Sequence, residues 1–144
     1  MAIEDTNKII GEYLVNCGTL TALIGGASPR IYCPRLPEGC TWPVGEGAIS
    51  FFTRGGTSTP YIPGIPVPSV QFDCWASSPV IARSIYNKLY DNLQGIQNQS
   101  VIVGLNTYTI WSAIEEVQGQ DLVDTEIPNY FRTLAFFSIM IRAE

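Results

Sequence analysis

The sequence predicts an α+β fold, in which a largely antiparallel sheet carries two helices packed on one face, plus a long loop or hairpin. Three observations lead there. Apolar residues recur at helical spacing in two stretches, Ile9 to Cys17 and Ile81 to Leu93; they alternate or run together in several others; and the order is helix, strands, helix, strands. With 144 residues, 46% hydrophobic and 15% charged, the chain is expected to be a single domain, 1–144, burying a core of its own.

Asp5 or Thr6 can cap the first helix, whose stripe is Ile9, Ile10, Tyr13, Leu14 and Cys17 and which should stop near Asn16 to Gly18. Thr19 then caps a short turn, "LTALI", ended by left-handed backbone at Gly25 and Gly26. Four prolines and three glycines between Ser28 and Gly47 exclude a long helix or a central strand and leave a brief edge strand around Arg30 to Tyr32. Ala48 to Arg54 is rich in β-formers and reads as a strand; "GGTSTPYIPGIPVP" reads as a loop or the tip of a long hairpin. Ser69 to Ala76 alternates, with Val70, Phe72 and Cys74 on one face and Gln71, Asp73 and Trp75 on the other.

Ser78 as N-cap and Pro79 at the first helical position open the second helix, with Ile81, Ala82, Ile85, Tyr86, Leu89 and Leu93 as its stripe and Gly95 as its end. "SVIVGLNTYTIWSAI" reads as two strands, Ser100 to Val103 and Thr107 to Ile114, turning at Gly104-Leu105-Asn106. The acidic, glycine-broken "EEVQGQDLVDTE" reads as a loop. The closing run "YFRTLAFFSIMIRA" has apolar residues on both alternating faces, the pattern of a strand in mid-sheet or clamped at an interface.

Composition narrows the function classes. Eight Lys+Arg against thirteen Asp+Glu leave no cation cluster for gripping phosphate backbones. No apolar run is long enough to span a membrane, and "MAIEDTNKIIGEYL" has acids where an export signal would carry basic residues, so a cytosolic origin is expected. Cys17, Cys33, Cys40 and Cys74 then read as free thiols, with Cys33 and Cys40 the pair best placed for a disulfide if one forms. There is no histidine, the commonest general base and metal ligand, and no Walker loop, dinucleotide fingerprint or nucleophile elbow. Neither a cofactor nor an enzymatic activity is expected.

Two groups of residues still merit a functional reading. Glu115, Glu116, Asp121, Asp124 and Glu126 could serve acid/base or divalent-metal chemistry, although an acidic loop is ordinarily just solvated. Trp42, Tyr61, Ile62 and Ile65 lie in Pro/Gly-rich segments, where two readings stay open: a loop folded over its own sheet, or a contact surface for another subunit. Asp73 and Cys74 sit side by side but project to opposite faces of their strand, so Cys74 reads as a small core residue.

Taken in order, "LTALIGGASPRIY", "VQFDCWASSPVIARSIYNKLYDNLQG" and a closing β run after an acidic segment give the chain a family resemblance. It resembles the tail-completion proteins of long-tailed bacteriophages, the tail terminators also described as head-to-tail joining proteins. The pattern departs between Cys33 and Gly47, a segment longer and richer in cysteine than the resemblance leads one to expect. What the resemblance implies is a non-enzymatic ring in the virion neck, commonly hexameric, assembled in the host cytoplasm. Such a ring sits on the finished tail tube, stops its polymerisation and meets the head-completion or connector protein, while DNA passes through without specific binding. On that reading Glu115, Glu116, Asp121, Asp124 and Glu126 line the lumen, and Trp42, Tyr61, Ile62, Ile65, Asp73 and Trp75 are candidates for contact with a neighbouring subunit or the tube. The alternatives are another neck component, such as a head-completion or stopper protein, the tube protein itself, a small carboxylate-dependent enzyme, or an acidic module binding a host protein.

Overall fold

A computed structural model describes residues 6–37, 39–57, 67–123 and 131–143. Along them run α1 (Thr6–Val15), α2 (Gly18–Thr21), β1 (Ile31–Tyr32), β2 (Gly47–Thr57), β3 (Val67–Ala76), α3 (Pro79–Leu93), β4 (Gln97–Val103), β5 (Asn106–Val123) and β6 (Phe131–Ala143). The six strands form one sheet in the order β1-β2-β3-β6-β5-β4. It is mixed, because β1 joins β2 in parallel while the other pairings are antiparallel.

The expected α+β architecture is corrected by this arrangement. Strand residues outnumber helical ones about two to one, and the fold is roughly an all-β half-barrel with three short helices, not two helices layered on a sheet. Curl is the physical reason. α1 lies against β4 at one edge of the sheet and against β1 and β2 at the other, so both edges bend toward one helix. Register shifts in β2 between Thr53 and Gly56, and in β5 at three places between Ile110 and Gln120, supply bulges that bend and twist the strands.

The acidic segment makes the largest single difference. Expected as a loop, residues 115–123 continue β5 to an 18-residue strand paired with β6. Side chains of α3 and its end hold it there. Arg83 donates to the Gly119 carbonyl at 2.8 Å, the Tyr86 hydroxyl donates to Glu115, and the Gln94 side-chain oxygen accepts from the Glu115 N–H at 2.7 Å. Gly119 is not a turn residue. A Cβ there would sit 2.8 Å from the Tyr86 ring, so the glycine allows the ring to cross the strand.

The core lies on the inner face of the curl. In β6, Ala135, Phe137, Ile139 and Ile141 are buried in one cluster with Ile9, Ile10 and Leu14 of α1 and Ile85 and Leu89 of α3, and Thr133 on the same row is buried too. Phe72 stands at its centre, stacked on Phe51 at 5.8 Å and edge-on to Phe137 at 5.6 Å. Each such side chain contributes about 1.5–3 kcal/mol by leaving water. Local signals are met only in part at the helix starts. Ser78 is extended and Pro79 opens α3, although the Ser78 hydroxyl makes no capping bond and its carbonyl instead accepts from Ala82 N–H at 3.0 Å. Cys17, not Thr19, precedes α2, and all four cysteines are free thiols.

At the start of β2 the packing leaves no room for a side chain. A Cβ on Gly47 would lie 2.0 Å from the Trp75 carbonyl oxygen, a backbone atom that cannot swing away, whereas one on Gly18 meets nothing within 4 Å. Urea unfolding followed by tryptophan fluorescence should therefore show Gly47→Ala destabilised by about 1–3 kcal/mol, and Gly18→Ala unchanged or slightly stabilised.

Candidate functional site on the outer sheet face

Strands that send one row of side chains into the core present a second row outward. On β3 that row is Gln71, Asp73 and Trp75. Asp73 lies between Ser50 of β2 and Leu134 of β6, Gln71 between Phe52 and Phe136, and Trp75 between Ala48 and Arg132. An antiparallel sheet face left to solvent is normally polar. This one holds Phe52, Trp75, Leu134, Phe136 and Met140 half-buried, with Ile114 57% exposed beside them. The buried apolar residues of the three helices belong to the inner cluster, so among the described residues no helix covers the outer row.

Arginines are set over its aromatic rings. The Arg54 guanidinium lies 3.9 Å from the centre of the Phe136 ring, Arg132 lies 5.3 Å from Trp75, and Arg142 lies 5.4 Å from Trp111. Such contacts contribute about 0.5–1 kcal/mol at exposed sites, and they hold cations against an apolar surface. Arg54 also donates to the Ser69 hydroxyl at 3.4 Å, which donates in turn to Glu116 at 2.6 Å, so one polar chain links β2, β3 and β5.

Asp73 sits in the middle of this face with 5% of its surface exposed. Its Oδ1 is 3.6 Å from Arg132, an ion-pair distance with no hydrogen-bond donor in reach, and its Oδ2 accepts from Gln71 at 3.4 Å. Burial pushes its carboxyl up from the ordinary range, with Arg132 and then Gln71 pulling against it. Trp75 is oriented by a bond from its indole N–H to the Ser50 hydroxyl at 2.9 Å. Cys74 points the other way into the core; burial, and secondarily the Asp73 carboxylate, push its thiol up, leaving it protonated and unreactive.

Of the residues expected to carry function, Asp73 and Trp75 share this face. Trp42 donates from its indole N–H to the Ser77 hydroxyl at 3.0 Å, which folds its segment back onto the end of β3. Tyr61, Ile62, Ile65, Asp124 and Glu126 lie outside the described residues. The loop reading of the acidic segment is corrected over residues 115–123, which form a strand whose carboxylates are held apart. Glu115 turns to Tyr86 on α3, Glu116 to Ser69 on the outer face, and Asp121 to Arg83 at 3.5 Å and the Thr133 hydroxyl at 3.2 Å. No group of three His, Cys, Asp or Glu among the described residues could hold a metal, and none of their helices is long and apolar enough to cross a membrane. Sequence reasoning missed Arg54, Arg132, Arg142, Phe136 and Met140. The signal was the second apolar row of the closing run, legible only as a pattern until its neighbours are known.

The raised carboxyl of Asp73 makes a signed prediction. A folded state that holds this proton more tightly than the unfolded chain gains stability below the ordinary aspartate range near pH 4 and loses it as pH rises through the folded value. Asp73→Asn removes that loss. Urea unfolding across pH 3.5 to 7.5 should show the stability of the variant relative to the native chain increasing as pH rises, and a flat difference would show that Asp73 titrates as in the unfolded chain. No protein-family model matches the chain, and no curated protein matches it.

Proposed function

We propose that this chain is a structural assembly protein of a phage neck, a ring of identical copies that caps the tail tube, ends its polymerisation and joins it to the head while DNA passes through. The observation that carries the reading is the outer sheet face. Trp75, Leu134, Phe136 and Met140, half-buried on one sheet face that no described helix covers and with arginines laid over the rings, have the composition of an interface centre, in which aromatic residues, methionine and arginine are enriched. Covering such a row gains about 25 cal/mol per Å² of apolar surface, so a docked neighbour is its favourable state. The sequence resemblance supplies the setting and the hexameric ring. A head-to-tail contact between this face and a different surface of the next copy closes into a ring when the rotation between copies allows it. Carboxylate chemistry gains no support, since Glu115, Glu116 and Asp121 are each engaged by a different protein group on two faces of the sheet.

Light scattering on a sizing column, with negative-stain images, tests the reading. The native chain should run as a ring and, added to polymerising tubes, limit their length. Phe136→Glu and Met140→Asp place charge on the outer row without touching the core and should weaken assembly by about 2 kcal/mol or more, roughly thirtyfold in dissociation constant. A native chain that is monomeric both alone and mixed with tubes overturns the proposal.

A further inference from the structure

The two edges of the sheet are built differently. β1 has two residues and is bracketed by Pro29 and Pro34, so it offers almost no backbone for pairing. β4 has seven residues, and from Asn92 to Ile114 the chain carries no charge and no proline, the devices by which edge strands avoid pairing. Among the described residues β4 pairs with β5 alone.

Hairpin geometry tells which groups face outward. Gly104, with φ 64°, and Leu105 form a two-residue turn closed by the pair Val103 and Asn106. The pair flanking so short a turn is hydrogen-bonded, and bonded pairs recur at every second residue. Val101 with Tyr108 and Gln99 with Ile110 are therefore bonded pairs, and Ser100 and Ile102 aim their N–H and C=O groups away from β5. Asn98, with φ 53°, turns the backbone out of the strand line and limits the open edge to these two residues. Beside them runs a cleft of about 450 Å³ with Gln99, Ser100 and Val101 on one side and Asn16 and Thr19 on the other. Three consecutive strand residues point to alternate faces, so a cleft that touches all three follows the edge of the strand. Its lining carries no charge.

We propose that the β4 edge is a pairing site for β4 of a second copy, joined antiparallel about a two-fold axis at Val101. Ser100 of one copy then lies opposite Ile102 of the other, and each pair exchanges both backbone hydrogen bonds, which satisfies every outward group of the two residues. The edge is its own complement, because outward groups spaced evenly about Val101 map onto themselves under a two-fold rotation. β1 cannot take this role. Ile102, 65% exposed in the single chain, loses water against the partner strand. The contact runs along the β4 edge and uses neither Phe136 nor Met140 of the outer row, so it is independent of the neck reading.

Sedimentation velocity over a concentration series, with amide exchange resolved by NMR, tests the pairing. The amides of Ser100 and Ile102 should exchange at least tenfold more slowly at high than at low concentration, while that of Val101 is slow throughout. Ser100→Pro removes one outward N–H, and Ile102→Lys sets a charge at the edge while leaving every backbone donor in place. Both should weaken the two-fold association tenfold or more, and Phe136→Glu should leave it unchanged. If Ser100→Pro fails to fold, Ile102→Lys alone decides. Equal exchange at all concentrations overturns the proposal, as does undiminished association of Ile102→Lys, or slowing that appears only when a different protein is added.

Discussion

β6 is held between β3 and β5, and the rest of the structure depends on that double pairing. Residues 131–138 of β6 lie opposite β3, and β5 runs along almost its full length on the other side. A strand so placed has its backbone satisfied on both edges, and its side chains are left to decide what each face of the sheet does. The inner row, Thr133 to Ile141, is fully buried and anchors the core through Phe137 against Phe72. The outer row, Arg132 to Met140, is half-buried without a described helix over it, and it forms the apolar surface of the sheet's second face.

Curl follows from the same pairing. To stay in register with β6 over 18 residues, β5 shifts at three bulges, and each adds bend and twist. The bent sheet brings β4 and the pair β1 and β2 toward opposite sides of α1, whose Ile9, Ile10 and Leu14 fill the space between them. α3 then lies across β3, β6 and β5, with Arg83 and Tyr86 clamping the distal half of β5. The acidic side chains of that half are absorbed into this clamp and into the polar chain from Arg54, which leaves the apolar outer row as a surface that no described helix covers.

Much of this was legible in the sequence where the signal was local. The stripe of α3, the Ser78-Pro79 start, the alternation of Val70, Phe72 and Cys74 against Gln71, Asp73 and Trp75, and the turn at Gly104 all appear where their periodicity or turn chemistry puts them. Failures came where distant residues overrule local preference. Glu115 to Val123 has the polarity and glycine of a loop, but pairing with an apolar strand and the approach of Tyr86 to Gly119 make it a strand. The half-barrel itself was hidden, because curl depends on bulges whose positions are set by a partner strand. For the site, Asp73 and Trp75 were placed on the correct face by alternation alone. Arg132, 59 residues from Asp73 in sequence, could be paired with it only through the β3–β6 register.

Hydroxyl-radical footprinting read by mass spectrometry tests the central claim most directly, since it reports whether Trp75, Phe136 and Met140 are covered in the assembled protein. The account predicts that labelling of these three side chains falls severalfold on assembly, while the fully exposed Leu105 of the β4–β5 turn keeps its own. Assembly with equal labelling of Trp75, Phe136 and Met140 before and after would contradict it.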